Sequence, residues 1–243
     1  MTDRALELSP QAYARIGGTL YLIIIAAGLF GELFVRGQLV VPGDATATLD
    51  NIKSSELLWR LGIAANLFHL ACSVALALIL YVLLRPVSRE LALLAVLFNL
   101  VAITLEAVSK LFLLPALFVS GSATYLQAFA PEQLHALAYL SNRSHTYGFN
   151  ISLIFFGFEC VLLGYLIFKS QYLPKVLGVL MTIAGVSYLV NSFALLLAPK
   201  VVNIAVLVPA FIAELSLALW LTVKGVDVQK WPGHLGSGPV AGA

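Results

Sequence analysis

The chain has 243 residues, of which 60% are hydrophobic and 11% are charged, and its formal net charge is +2. A soluble domain carries about 25% charged residues, so a chain this apolar needs lipid to cover its surface. The small net charge, without a basic stripe or a zinc-ligand spacing, offers no argument for a nucleic-acid partner. The length suits one compact bundle and leaves little room for a separate soluble domain.

Six apolar segments are long enough to cross a bilayer, which takes about 20 mostly apolar residues per helix. They predict an all-α, polytopic membrane protein in which residues 1–223 form one bundle of six transmembrane helices. No cleavage site with a polar mature start follows the first segment, so we expect a retained anchor rather than a signal peptide. The predicted helices span residues 12–35, 57–84, 90–119, 147–168, 175–198 and 203–223.

Two long connections, residues 36–56 and 120–144, separate some of these helices. In the first, Asp44 is a suitable N-cap for a short helix that runs through Ile52. In the second, Pro131 is expected to open another short helix. Both connections fall on the outer face, where we expect either lids or plain links between helices.

The distribution of Lys and Arg predicts the orientation, because short cytoplasmic loops carry an excess of these residues. The Lys and Arg residues fall into two sets, one on each side of the membrane. The larger set lies on the side that contains both termini, so both termini are predicted to be cytoplasmic. The Gly- and Pro-rich residues 224–243 are predicted to form a flexible cytoplasmic tail. The larger set is Arg4, Arg15, Arg85, Arg89, Lys169, Lys175, Lys224 and Lys230, and the smaller set is Arg36, Lys53, Arg60, Arg143 and Lys200.

Four ionisable residues lie deep inside the predicted helices: His69, Glu106, Glu159 and Glu214. A charge at the bilayer centre costs at least about 2.5–3.5 kcal/mol, so such residues usually have an internal use. At a rise of about 1.5 Å per residue, Glu159 and Glu214 each lie about 15 Å from the lysine that ends their helix, near the midplane. They are the strongest functional candidates, and if they meet they would share a proton.

The same arithmetic places the other candidates in one layer nearer the outer face. Lys110 follows Glu106 by four residues, so the two side chains can pair. We therefore predict a polar pocket that opens outward, with Glu159 and Glu214 as its floor. A purely structural interpretation is also open, in which Glu106 and Lys110 form an ion pair and His69 and the asparagines join neighbouring helices. The predicted lining is Glu32, Asn66, His69, Glu106, Lys110 and Asn191.

Motifs for known chemistry are missing from the sequence. It has no P-loop, no dinucleotide-binding glycine motif and no HExxH-like spacing. Haem in a helix bundle usually needs paired histidines, whereas His135, His145 and His234 are predicted in loops or in the tail. Cys72 and Cys160 are expected to be small packing residues rather than a disulfide or a metal pair. We therefore predict no cofactor and no metal, and we regard an enzyme as the less favoured class.

Several stretches of the chain follow the pattern of a known family. They are residues 15–22 (RIGGTLYL), 42–45 (PGDA), 58–62 (LWRLG) and 80–87 (LYVLLRPV). This pattern resembles a family of bacterial multi-spanning membrane proteins catalogued as a domain of unknown function, over nearly the whole chain except the tail. The resemblance implies an integral protein of the bacterial inner membrane and implies no activity. It also draws attention to Asp44, Asn51 and Arg60 as residues that could shape the pocket mouth.

Three functions remain open. The first is a proton-linked carrier or small-solute binder, in which the carboxyl groups exchange protons and the pocket holds a polar or cationic ligand. The second is a membrane sensor or assembly factor without chemistry, in which the buried charges only specify helix packing. The third and least favoured is an intramembrane metal-dependent hydrolase that uses His69 and Glu106. The expected partners are the lipid bilayer and a small ligand, and a homo-oligomer is compatible with the sequence.

Overall fold

The computed structural model describes residues 8–121, 123–199 and 204–232, and all regular elements of these ranges are helices. Six of the helices are long and apolar enough to cross a membrane. A seventh, α2, connects the first two. The helices are α1 (Pro10–Leu39), α2 (Ala45–Ser54), α3 (Glu56–Leu84), α4 (Arg89–Phe118), α5 (Pro131–Lys169), α6 (Lys175–Leu197) and α7 (Ala205–Val223).

The outside of the bundle is apolar along its whole height. Leu78 of α3 is 61% exposed, Val101 of α4 is 42% exposed and Val190 of α6 is 52% exposed. Lipid can cover such a surface, whereas water cannot. The chain is therefore an all-α, multi-pass membrane protein, as the sequence predicts. Six crossings bring both ends of the bundle to one side, called here the inner side. That this side is cytoplasmic stays a prediction.

Two apolar cores lie one above the other in the bundle. The larger core contains Leu83, Leu166 and Leu217 and occupies the inner half. The smaller contains Val35 and Trp59 and occupies the outer half. Glu32, Glu106 and Lys110 lie between the two cores. Glu159 and Glu214 lie among residues of the larger core, so buried ionisable groups interrupt an otherwise apolar interior at two levels.

Glycine pairs bring the backbones of α5 and α6 into close contact. A Cβ atom built on Gly178 would lie 2.6 Å from the carbonyl oxygen of Gly164, and one on Gly157 would lie 3.0 Å from that of Gly185. Small residues at such positions let membrane helices approach closely. This close contact with α6 consequently fixes the position of the midplane part of α5.

The winding of α1 changes in its outer half. Pro10–Gly28 is α-helical, Leu29–Val35 is a π-helix, and Arg36–Leu39 is α-helical again. π-segments are rare and occur frequently at functional sites, because the wider turn changes the direction of the side chains. This segment carries Glu32. Its Gly31 lies against α3, where an added Cβ would be 2.6 Å from the amide of Asn66.

The outer end of α4 is irregular, and other helices bind its free carbonyl groups. Pro115 has no N–H to donate, and a 3₁₀ turn precedes it at Leu111–Leu113. The indole Nε1 of Trp59 donates to the Leu113 carbonyl at 3.1 Å, and the Ser141 hydroxyl donates to that of Phe112 at 2.7 Å. Side chains from neighbouring helices thus satisfy backbone groups that lipid could not.

Helix α5 is much longer than the sequence predicts. Pro131 does begin a helix, but this helix continues without interruption to Lys169, so the predicted short helix and the fourth transmembrane helix are one element. The prediction was wrong because polar residues near 141–146 were taken as a loop. Residues 132–147 contain no Pro or Gly, and the buried Ala138, Asn142 and His145 follow helical spacing.

The first outer connection folds as predicted. The Asp44 carboxylate accepts a hydrogen bond from the Ala47 N–H at 2.9 Å and caps α2. The outer extension of α5 holds this connection in place, since Thr46 bonds to His135 at 3.0 Å and the Gly43 N–H donates to the Tyr139 hydroxyl at 2.7 Å. The first outer connection is thus held against the outer end of α5.

The predicted tail packs against the bundle over its first part. The Asp227 N–H donates to the Tyr172 carbonyl at 3.0 Å, and the Trp231 ring lies 4.7 Å from the Tyr172 ring. Gln11 of α1 bonds to the Lys224 carbonyl at 2.9 Å and to the Val226 N–H at 3.0 Å. Residues 224–232 therefore belong to the folded body, and the rest of the predicted tail lies outside the described residues.

Candidate functional site

Glu32 lies at the centre of a polar cluster between the two apolar cores. Its carboxylate accepts hydrogen bonds from Arg36 at 2.5 Å, from Lys110 at 2.7 Å and from Asn66 at 3.1 Å. His145 Nε2 lies 3.3 Å away. Helices α1, α3, α4 and α5 each supply part of this shell, so the cluster joins four of the membrane helices. The outer cluster is Glu32, Arg36, Asn66, His69, Glu106, Lys110, Asn142 and His145.

A second carboxylate of the outer cluster shares the same lysine. Glu106 Oε1 lies 3.2 Å from Lys110 Nζ, as the spacing of four residues predicts, and 3.3 Å from His69 Nε2. Lys110 also lies over the Phe149 ring, 5.0 Å from its centre. Its side chain is only 2% exposed. One buried ammonium group therefore bridges two carboxylates on different helices.

The charges of the outer cluster balance when both histidines are neutral. Glu32 and Glu106 contribute two negative charges, and Arg36 and Lys110 contribute two positive charges. Such balance is what a membrane interior requires of ionised groups, because an unpaired charge there is costly. An additional proton or a cationic molecule would give the cluster a net positive charge.

His145 lies between two oxygen atoms. Its Nδ1 is 3.1 Å from the Ser109 carbonyl oxygen, and its Nε2 faces the carboxylate of Glu32. A neutral imidazole carries only one N–H, so it can donate to one of these oxygens at a time. One further proton, on the imidazole or on the carboxyl group, would satisfy both contacts.

Several buried polar atoms of the outer cluster lack a hydrogen-bond partner among the described residues. They are Arg36 Nε, Asn66 Oδ1 and His69 Nδ1, while Glu106 Oε1, which also makes no hydrogen bond, lies in ion-pair range of Lys110 and His69. Buried polar groups are nearly always satisfied by protein, by water or by a ligand. These two possible donors and one acceptor point to a site that can bind a small polar molecule or water.

Glu159 and Glu214, the midplane pair, have quite different surroundings. Glu159 accepts a hydrogen bond from the Asn99 amide at 2.8 Å, and Glu214 accepts one from the Tyr188 hydroxyl. Tyr21 also lies beside Glu214. These partners are all uncharged. The two carboxyl groups lie close enough to influence each other electrostatically, but their hydrogen bonds go to separate partners.

A narrow cleft reaches Glu159 from the inner side of the bundle. It lies between α3, α4 and α5, and its walls include Leu84, Ala92 and Leu163. Its volume of about 10 Å³ is room for about one water molecule. Glu159 therefore lines an inner cleft, instead of forming the floor of an outward pocket as the sequence analysis predicts.

Asn191 lies outside the outer cluster. It donates to the Asn150 side chain at 2.9 Å, and Asn150 in turn donates to the Thr146 carbonyl at 2.9 Å. Arg36 contacts the Thr146 hydroxyl at 3.1 Å, so this chain of bonds ends at the edge of the cluster. Of the eight candidates from the sequence, the structure brings Glu32, Asn66, His69, Glu106 and Lys110 together.

A family model described as a domain of unknown function, DUF4386, matches residues 16–225. The chain belongs to this family. The matched region contains every residue of the outer cluster and the midplane pair, so the site described above lies within the DUF4386 domain. The domain covers most of the chain, as the resemblance in the sequence implies.

An archaeal protein from Archaeoglobus fulgidus, described only as uncharacterized, is similar to the chain. It is 32% identical over 159 residues, which is 65% of this chain and 79% of the relative. No solved structure matches the chain. The comparisons therefore place the chain in the DUF4386 family and assign it no activity.

Sequence reasoning missed Arg36, Asn142 and His145 of the outer cluster. His145 was predicted in a loop, whereas it is fully buried on α5. Arg36 was taken as a base at the membrane surface, but it bonds to Glu32 and to Asn142 at 3.2 Å. The spacing of four residues between Glu32 and Arg36 could have identified Arg36 from the sequence.

The first-loop residues that the resemblance singled out have local structural roles. Asp44 caps α2, and the Asn51 amide donates to the Leu39 carbonyl at 3.3 Å. Arg60 pairs with Glu56 on an exposed part of α3. Through these contacts they shape the outer connection, away from the buried carboxylates.

The described side chains do not form a metal centre. In this part of the chain, no group of three or more His, Cys, Asp or Glu side chains is arranged to hold a metal ion. Cys72 and Cys160 are both free thiols, and Cys160 is buried in the apolar core. His69 and Glu106, the two ligands that the hydrolase hypothesis names, contact each other, and Glu106 also contacts Lys110.

Proposed function

We propose that this DUF4386 protein is a proton-linked binder or carrier of a small polar or cationic solute in the cell membrane, in bacteria the inner membrane. The outer cluster would hold the solute, and the midplane pair would take up and release the coupled proton. In this proposal, Glu32 and Glu106 belong to the solute site, and Glu159 and Glu214 exchange the proton.

The observation that carries the proposal is the contrast between the two sets of carboxyl groups. Glu32 and Glu106 lie against Lys110 and Arg36, so their charges are compensated within the bundle. Glu159 and Glu214 bond to neutral partners. A carboxylate without a nearby opposite charge is costly inside a membrane. A proton taken up by either of these two carboxyl groups would remove the uncompensated charge.

Access to the two sets supports the same assignment. Glu159 lines the inner cleft, which has room for about one water molecule beside its carboxyl group. The unpartnered atoms of Arg36, Asn66 and His69 offer hydrogen-bonding capacity for a solute in the outer cluster.

Infrared difference spectroscopy tests proton exchange without knowledge of the solute. The protein is reconstituted in bilayers, and the buffer is switched between acidic and alkaline. We expect a band of a protonated, desolvated carboxyl group that Glu159→Gln removes and Glu214→Gln shifts or removes. The exposed carboxyl of Glu90 provides the control, since Glu90→Gln should leave this band unchanged. Identical spectra for the wild type and both midplane variants would refute a role in proton exchange.

Coupling to a solute is tested in liposomes that contain a pH-sensitive dye. Ammonium, ethanolamine, choline and putrescine are added outside in turn as defined cationic probes. For a probe that is carried, we expect a pH change in the lumen that Glu159→Gln abolishes. If none of the four probes changes the lumenal pH, carriage of these cations is refuted, and the infrared result decides proton binding separately.

A second function is favoured by the internal charge balance of the outer cluster. If the protein is a sensor or assembly factor, the pairs among Glu32, Arg36, Glu106 and Lys110 only specify how four helices pack. A variant that neutralises one partner would then fold less stably. The wild type itself would show no proton exchange at Glu159. The same infrared experiment therefore separates the two functions.

A further inference from the structure

A groove lined by three lysines lies on the inner side of the bundle, apart from the buried carboxyl groups. Its volume is about 470 Å³, within the usual range of small-molecule sites. Its walls come from the end of α5, the start of α6 and the chain after α7. The lining residues include Lys169, Lys175, Lys230, Ser170, Gln171 and Phe168.

Aromatic rings fix the position of two of these lysines. Lys169 Nζ lies over the Tyr165 ring at 5.8 Å from its centre, and Lys175 Nζ lies over the Phe168 ring at 5.5 Å. A cation held over a ring keeps much of its charge available for another partner. In the part of the chain that the structure describes, no carboxylate forms an ion pair with either of these two ammonium groups.

The third lysine is partly neutralised. Lys230 Nζ lies 3.0 Å from an Asp227 carboxylate oxygen, and the Lys230 ammonium holds the pKa of that exposed carboxyl below its ordinary value. With Asp227 counted, the three lysines leave the groove with a net charge of about +2, from the arithmetic 3 − 1. A negatively charged ligand is therefore the chemistry that the groove fits.

The position of the groove indicates which anion would reach it. Lys169 ends one membrane helix and Lys175 begins the next, so both lie at the level of lipid headgroups. The apolar surface beside the groove is open, with Phe168 42% exposed and Val176 61% exposed. A phosphate that carries acyl chains would contact the lysines and this apolar surface at once, whereas a free phosphate would contact only the lysines.

We propose that this groove binds the phosphate-bearing headgroup of an anionic phospholipid, with the acyl chains along the exposed surface of Phe168 and Val176. Basic pockets between membrane helices recognise anionic lipid headgroups in this way. The bound lipid would clamp the α5–α6 connection to the chain after α7. The proposal does not depend on the function of the buried carboxyl groups.

Native mass spectrometry of the purified protein in mixed micelles tests the proposal. The probes are phosphatidylglycerol and phosphatidylcholine, which differ in net charge. We expect the wild type to retain phosphatidylglycerol preferentially, and the triple variant Lys169→Gln, Lys175→Gln, Lys230→Gln to lose this preference by about tenfold. A matched control removes three exposed bases from the outer side, by Lys53→Gln, Arg60→Gln and Arg143→Gln, and should retain the preference.

Two outcomes would overturn the proposal. One is equal retention of phosphatidylglycerol by the wild type and the lysine triple variant, with both eluting as folded protein in gel filtration. The other is full displacement of the lipid by inorganic phosphate, which would make the groove a site for a free anion. The single variant Lys175→Gln should give an intermediate loss, which a folding defect of the triple variant would not explain.

Discussion

Lys110 is the residue on which both carboxylates of the outer cluster depend. Its ammonium lies 2.7 Å from Glu32 and 3.2 Å from Glu106, and water hardly reaches it. Removing one partner of a buried ion pair leaves an uncompensated charge, which typically costs about 3–5 kcal/mol. Substituting one charged member of the outer cluster therefore leaves another member without its partner.

Substitution of Lys110 tests this dependence. We expect Lys110→Met to lower the free energy of unfolding by about 3–5 kcal/mol, because Glu32 and Glu106 then lose their shared cation. Reversible unfolding in mixed micelles measures the change. The double variant with Glu32→Gln should recover part of the loss, since one uncompensated carboxylate is removed.

The exposed pair Glu56–Arg60 provides a matched control for Lys110. It has the same spacing of four residues, but the two side chains are 49% and 57% exposed. Exposed pairs contribute less than about 1 kcal/mol, so Arg60→Met should change stability little. Similar small losses for Lys110→Met and Arg60→Met would contradict the importance of the buried charges.

At the scale of elements, the π-helix of α1 determines how Glu32 meets α3. Gly31 allows the π-helix to lie directly against Asn66, which in turn donates to Glu32. An added Cβ would lie 2.6 Å from the Asn66 amide, closer than van der Waals contact allows. The glycine is therefore needed for packing, although glycine weakens a helix by about 0.5–1 kcal/mol relative to alanine.

Two glycines of the same helix should consequently respond to alanine in opposite directions. Gly31→Ala is expected to destabilise the protein and to alter the Asn66–Glu32 contact. Gly28→Ala should be neutral or stabilising by up to about 0.5–1 kcal/mol, because no neighbouring atom lies within 4 Å of the added Cβ. Thermal unfolding of both variants gives the signs directly. A stabilising Gly31→Ala would mean that the close contact with Asn66 does not restrict the helix.

The residues and elements of the site were only partly predictable from the sequence. The depths of Glu32, His69 and Glu106 followed from the constant rise of a helix, and the structure places all three together. His145 was missed because the polar residues around it hid the helical continuation of α5. The separation of Glu159 from the outer cluster was also missed, since depth along a helix does not specify which neighbour a side chain faces.

For the whole molecule, the distribution of charge predicts the orientation in the membrane. Loops at the inner side carry more Lys and Arg, which favours a cytoplasmic location for that side. In a variant with Cys72 and Cys160 replaced by alanine, Lys53→Cys tests the outer side and Gln229→Cys tests the inner side. Both positions are exposed.

Labelling with a membrane-impermeant maleimide distinguishes the two orientations. We expect the cysteine at position 53 to react in intact bacterial cells, and the one at position 229 to react only after permeabilisation. The reverse pattern would contradict the predicted orientation. Equal reaction of both positions in intact cells would show that the population inserts in both directions.

The sequence by itself determined the fold class, the six crossings and the depth of the buried ionisable residues. It could do so because lipid tolerates only long apolar helices, and because helical rise is constant. Only the tertiary structure decided that Lys110 serves two carboxylates, that His145 joins Glu32, and that Glu159 faces the inner cleft. Those contacts depend on how each helix is rotated and which helix lies beside it, and the packing of all six helices together decides both.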